Sequence, residues 1–133
     1  MNTMKAAVTA DFGTIEYKDV PLPEIDDDEA LIKVECSGVC GTDVHVFQGH
    51  HPAAHPPVIM GHEFAGTVAE VGTKNPTGLE TGERVAVQPF YSCGVCELCI
   101  TGRENVCPSL RIFGIHVDGS FAEYVKAPIK RVY

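Results

Sequence analysis

The chain has 133 residues, six of them cysteine, and a formal net charge of −8 with its histidines neutral. That length suits one domain with a real core, burying about two thirds of the surface of the unfolded chain. No apolar run reaches the roughly 18 residues a membrane-spanning helix needs, and no Lys/Arg cluster offers an anchor for a phosphate backbone. Neither a membrane nor a nucleic-acid partner is therefore expected. The opening Met1-Asn2-Thr3-Met4-Lys5 also lacks the apolar stretch of a signal peptide.

Residues 4–10 form a short apolar run and read as a first strand. Residues 15–20 alternate apolar and polar, the period of a strand. Pro21, Pro23 and the acidic run 26–29 then make a solvated connection. Residues 31–35 alternate again and lead into Cys36-Ser37-Gly38, with Cys36 expected to point into the core. The best short helix is 42–48, and residues 64–71, 84–87 and 121–125 read as further strands. Thirteen glycines and nine prolines punctuate these runs, as in a small all-β barrel with long loops. Long amphipathic helices and internal repeats are absent.

Cys93, Cys96, Cys99 and Cys107 stand in the spacing C-x2-C-x2-C-x7-C, flanked by the turn formers Gly94, Gly102, Asn105 and Pro108. A segment with so few large apolar side chains cannot order itself. A tetrahedral zinc held by four thiolates can, and is worth on the order of 10–16 kcal/mol in a small peptide at neutral pH. Four unrelated cysteines, or two redox C-x-x-C pairs, are the alternatives. Redox pairs sit at a strand-to-helix junction of a βαβ unit, and nothing in this stretch reads that way. Thiols used as metal ligands suit a reducing compartment, so the cytoplasm is the expected location.

A second constellation lies outside this lobe. Cys40 stands in Gly38-Val39-Cys40-Gly41-Thr42-Asp43-Val44-His45, and His62 in Gly61-His62-Glu63. Alone, Cys40 reads as a small buried apolar residue and His62 as a hydrogen-bonded core histidine. Together with Glu63 they supply the thiolate, imidazole and carboxylate found at an open catalytic zinc. His50, His51 and His55 fall in a proline-rich loop and read as solvent-facing.

In this order, Cys40-Gly41-Thr42-Asp43-Val44-His45, Gly61-His62-Glu63 with Gly66 and Gly72, Gly82-Glu83-Arg84-Val85, the four-cysteine lobe and Gly119-Ser120-Phe121-Ala122-Glu123-Tyr124-Val125 resemble the zinc-dependent medium-chain alcohol dehydrogenases. The resemblance runs from about Lys5 to the end of the chain. It implies a mainly β, GroES-like barrel spanning residues 1–133, with short helices and a zinc lobe projecting over about 90–110. It further implies that Cys40 and His62 ligate a catalytic zinc, and that Glu63 ligates it or exchanges with water beside it. Asp43 would orient His62, Thr42 would hydrogen-bond the substrate oxygen, and His45 would carry the proton to solvent. The partner is then a small-molecule alcohol. Gly41 and the run Gly-Thr-Asp-Val-His resemble the polyol, sugar-acid and threonine dehydrogenase branches, so a secondary alcohol in a small polar substrate is expected.

Members of that family continue into a dinucleotide-binding domain for NAD or NADP, and their remaining protein ligand to the catalytic zinc comes from further along. No G-x-G occurs in these 133 residues. The chain is therefore expected to be the catalytic-domain part of a longer, homo-oligomeric dehydrogenase, and inactive alone. The rival from another class is a stand-alone, non-catalytic GroES-like zinc module. A scaffold, however, has no use for Cys40, Thr42, His45, His62 and Glu63 together. Reductases or lyases of activated alkenes in the same superfamily usually lack both zinc ligand sets, so the cysteines argue against that reading.

Overall fold

The computed structural model describes residues 2–133. Nine strands carry the architecture: β1 (Thr3–Asp11), β2 (Thr14–Pro21), β3 (Glu29–Ser37), β4 (Val58–Ile59), β5 (Phe64–Val71), β6 (Arg84–Val87), β7 (Phe90–Tyr91), β8 (Arg111–Ile112) and β9 (Tyr124–Pro128). Two short α-helices, α1 (Gly41–Phe47) and α2 (Glu97–Ile100), interrupt them. No helix among the described residues is long and apolar enough to cross a membrane.

The strands pair into a three-stranded sheet in the order β2-β1-β4, a four-stranded sheet β6-β5-β3-β9 and a two-stranded ribbon β7-β8. All the pairings are antiparallel. The two larger sheets are joined by the segment before β9. Ala6 bridges Ala122, the Ala7 N–H donates to the Phe121 carbonyl at 2.8 Å, and the Val34 N–H donates to the Glu123 carbonyl at 2.9 Å. The last residues run beside β6, where Ala86 and Tyr133 exchange backbone hydrogen bonds of 2.8 and 2.9 Å. The result is a partly closed barrel.

Burial follows the strand period on β1, β6 and β9, while β2 is exposed along almost all its length. On β1, Met4, Ala6 and Val8 are buried and pack with Ile59. In β3, Ala30, Leu31 and Ile32 are all buried, where the ladder with β5 shifts register between Leu31 and Ile32 and breaks the alternation. Ile32, Phe64, Val68, Val85, Phe113 and Val125 form the main core, each such side chain contributing roughly 1.5–3 kcal/mol by burial. Helix α1 is anchored by Val46, fully buried against Ala54, Val58, Met60 and Ile115.

Strands β5 and β6 have the bounds read from the sequence, and β1, β2 and β3 extend the expected runs by one or two residues at each end. The final strand is displaced: 121–125 was the expected span, yet the ladder covers Tyr124–Pro128. Phe121 lies in a bend and Ala122 makes only an isolated bridge; the Phe121 N–H donates to Met60 and its carbonyl accepts from Ala7 of β1, so the segment crosses between sheets before it joins β3. Cys36 is corrected too. It is exposed, because β3 slips register against β5 between Val34 and Cys36. The irregularity breaks the alternation and turns the thiol outward.

Candidate functional site

The end of β3 and the turn before β5 lie side by side. Ser37 pairs with Phe64, and the Gly38 N–H donates to the Glu63 carbonyl at 2.7 Å. This places the Gly38-Val39-Cys40 turn next to Gly61-His62-Glu63. Cys40 is the N-cap of α1, and its N–H donates to Asp43 Oδ2 at 2.8 Å. A short helix thus begins where the thiol must be held, with a carboxylate satisfying its first turn.

Candidate ligand atoms of Cys40, His62 and Glu63 all lie within 4.8 Å of one another. His62 is 7% exposed and Asp43 only 3%. Asp43 Oδ1 stands 3.6 Å from His62 Nδ1, too far for a hydrogen bond, so this buried nitrogen has no partner. A buried carboxylate facing one nitrogen of an imidazole is the arrangement that orients a metal-ligating histidine. A thiolate, an imidazole and a carboxylate around one point suit a borderline-soft cation such as zinc, with a coordination position left for water or substrate. The residues therefore fit the metal.

Thr42 Oγ1 is 3.6 Å from Cys40 Sγ and half-buried. His45, three residues further along α1, is exposed, with its ring centroid 6.4 Å from that of His50. The loop histidines stay outside the cluster. His51 Nδ1 accepts the Ala53 N–H at 3.3 Å, and His55 is exposed. His116, assigned nothing from sequence, accepts the Ile112 N–H on Nδ1 at 3.1 Å. Burial, aided by Arg111 and His51, holds its pKa below the ordinary histidine value.

The sequence reading missed what stands behind His62. Gly61 adopts φ +100°, and a Cβ there would stand 2.5 Å from Ser120 Oγ and 2.7 Å from the Phe121 ring. The Ser120 N–H donates to the Gly61 carbonyl at 3.0 Å, and the Phe121 N–H to that of Met60 at 2.9 Å. Nothing in a Gly-Ser-Phe-Ala stretch marks such a contact across some sixty residues of chain.

The cysteine lobe springs from the β7–β8 ribbon, whose pairs are Phe90 with Ile112 and Tyr91 with Arg111. The Sγ atoms are 3.8 Å apart for Cys93–Cys99, 3.5 Å for Cys96–Cys99, 3.9 Å for Cys96–Cys107 and 3.6 Å for Cys93–Cys107. Bonds of about 2.3 Å from a central zinc give tetrahedral edges of about 3.8 Å, so this cage has the size of a zinc tetrathiolate. A disulfide would need about 2.05 Å.

Cys93, Cys96 and Cys99 hold their protons unevenly. N–H groups of Val95 and Cys96 stabilise the Cys93 thiolate, and Cys107 adds to this, bringing Cys93 down to about 6. The Cys99 N–H favours the Cys96 thiolate, but burial and the neighbouring sulfurs push Cys96 up to about 11. Burial works against the Cys99 thiolate, yet hydrogen bonds from Ser92 and Cys96 bring it below its usual value. Four thiolates at this spacing need a cation between them.

Arg131 ties the lobe to the barrel. Its guanidinium donates to both Glu104 oxygens, at 3.0 and 2.6 Å, and to Ser92 Oγ at 3.3 Å.

The alcohol dehydrogenase GroES-like domain model matches residues 26–133. L-threonine 3-dehydrogenase of Bacillus velezensis is 42% identical over 135 residues, covering 98% of this chain and 38% of that protein. L-galactonate-5-dehydrogenase of Escherichia coli K12 is 36% identical, covering 99% and 38%. Among solved structures, a Sinorhizobium meliloti 1021 protein described as a zinc-binding dehydrogenase and bound to NADP superposes with a TM-score of 0.92. It is 44% identical, with 100% of this chain and 38% of that one covered. The chain thus spans about two fifths of the length of these relatives. Matched over most of its residues by that family model, and similar along nearly its whole length to dehydrogenases, the chain belongs to the zinc-type medium-chain alcohol dehydrogenase family.

Proposed function

We propose that this domain is the alcohol-activating part of an NAD(P)-dependent dehydrogenase oxidising a secondary alcohol in a small polar substrate: a polyol, a sugar acid or a threonine-like hydroxy amino acid. The convergence of Cys40, His62 and Glu63, with buried Asp43 against the far side of His62, carries this reading. Threonine and galactonate, named in two relatives, are both small, polar and hydroxylated. The NADP bound by the Sinorhizobium protein supports a nicotinamide cofactor for the whole enzyme.

In this reading Cys40 and His62 hold the catalytic zinc, and Glu63 completes the set or yields its place to water. Bound there, zinc supplies Lewis-acid polarisation of the alcohol oxygen, which makes its proton easier to remove. Thr42 hydrogen-bonds the alcohol, accepts its proton and passes its own onward. His45 lies on the same face of α1, one turn later, and its exposed ring hands the proton to solvent. A nicotinamide held by the rest of the enzyme would supply the hydride acceptor, so that proton and hydride together would account for the two-electron oxidation. Asp43 keeps His62 oriented. Cys93, Cys96, Cys99 and Cys107 hold a second, structural zinc. Residues 1–133 act as one domain, and the whole enzyme works as a homo-oligomer in the cytoplasm.

Counting zinc on the dialysed chain tests the assignment. Two equivalents are expected, with one remaining after Cys40→Ser. A parent that keeps only one, or a Cys40→Ser variant that keeps both, would overturn it. In the complete dehydrogenase, Cys40→Ser should abolish turnover.

A further inference from the structure

We propose that Ser120, paired with Ser37, is a positioning residue that clamps together the two segments bearing the catalytic metal ligands. The proposal rests on the open zinc site described above and adds residues to it that touch neither metal nor substrate.

Cys40 and His62 reach the site on separate turns. One follows β3 through Ser37-Gly38-Val39, and the other follows β4 through Met60-Gly61. Their backbones meet directly through the 2.7 Å hydrogen bond from the Gly38 N–H to the Glu63 carbonyl. Behind them, Ser120 touches both. Its N–H donates to the Gly61 carbonyl at 3.0 Å, and its Oγ lies 2.6 Å from Ser37 Oγ. Its neighbours continue the grip: the Gly119 N–H donates to Ile59 at 2.7 Å and the Phe121 N–H to Met60 at 2.9 Å.

Ser120 is 2% exposed, so its hydroxyl has little access to water and Ser37 is its partner. The same oxygen packs against Gly61 so closely that a Cβ there would meet it at 2.5 Å. The residue before His62 is thus held from one side by the Ser120 main chain and side chain, and Ser120 in turn is held to the residue before Gly38. Ligand spacing at a metal must be kept to a fraction of an ångström. One short hydroxyl–hydroxyl bond, three residues from Cys40 and one packing contact from His62, couples the two turns whose separation sets that spacing.

The test compares zinc retention by the parent, Ser120→Ala, Ser37→Ala and the double variant against a graded zinc chelator, with the cysteine-lobe zinc as internal control. The parent should hold two equivalents. Each single variant should release the open-site zinc at roughly tenfold lower chelator strength, as expected for partners behind the ligands, while keeping the lobe zinc and its melting temperature. The double variant should be no weaker than the singles, since either change breaks the clamp, and Ser37→Thr should restore parental retention. Ser37 is only half-buried, so its variants carry the test if Ser120→Ala does not fold. Parental open-site affinity in both single variants, or loss of both zincs together with a lowered melting temperature, overturns the clamp while leaving the open site in place. A parent with only the lobe zinc overturns both readings.

Discussion

Gly61 sits at φ +100° with Ser120 Oγ and the Phe121 ring where a side chain would begin. Gly61→Ala therefore meets backbone strain and a clash with a 2%-exposed neighbour. It should destabilise the domain by roughly 1–3 kcal/mol, read from the urea midpoint, and should cost the open-site zinc as well. Asp43 makes a cleaner probe. Asn at this position keeps an oxygen for the Cys40 N–H but loses the negative charge facing His62 Nδ1. Asp43→Asn should leave the urea midpoint near that of the parent while weakening open-site zinc about 10–100-fold, measured by competition with a chelator. An unchanged affinity would show that His62 is oriented by something else. Cys40, His62, Glu63 and Asp43 were legible as residues because turn glycines bracket them and their donor chemistry is distinctive. Ser37 and Ser120 were not, since a serine carries no mark of the partner it finds 83 positions away. Cys36 misled for a related reason: burial statistics for cysteine say nothing about a register slip in the strand that bears it.

The cysteine lobe is the element with least to hold it. Between β7 and β8 only Cys107 is buried, while Val95, Ile100 and Val106 stay 80%, 71% and 55% exposed. Removing metal with a chelator should thus speed amide exchange in 93–107 first, leaving β3 and β5 protected. Cys99→Ser should reproduce that pattern without chelator. Equal exchange in lobe and barrel would show that the lobe has a core unseen here.

Arg131 gives the lobe a second hold and a pH dependence with a definite sign. Its guanidinium, hydrogen-bonded to Glu104, holds that carboxyl below the ordinary range. A carboxyl whose pKa is lowered by folding contributes fully above its unfolded value, about 4.3 for glutamate, and loses the contribution as pH falls through the folded one. The melting-temperature deficit of Arg131→Met should therefore be full at neutral pH and close only below that range. Zinc content followed in parallel separates this from acid release of metal. The longer strands were legible because their apolar period is local. The two-residue strands β4, β7 and β8 were not, because each exists only through a partner far along the chain.

At the scale of the molecule, the question is what these 133 residues can do unaided. Hydride transfer needs a nicotinamide held about 3–3.5 Å from the substrate carbon, which in turn needs a cradle for the dinucleotide phosphates. Such cradles are glycine turns at strand–helix junctions, with free N–H groups and the positive end of a helix facing the anion. Among the described residues, β3 into α1 is a glycine-bearing junction of that kind, through Gly38 and Gly41. Its helix has only seven residues, and the Asp43 carboxylate already occupies its first turn and takes the Cys40 N–H. An incoming pyrophosphate would meet a buried negative charge there, on a chain whose net charge is already −8. The donor set at that turn suits a cation, and the same arrangement disfavours a dinucleotide's phosphates. Titrating the chain with NADH and following nicotinamide fluorescence should show no saturable binding, and alcohol with NAD or NADP should give no turnover. Binding in the low micromolar range would mean that a cofactor cradle exists elsewhere on this surface, and would overturn the division of labour proposed for the whole enzyme.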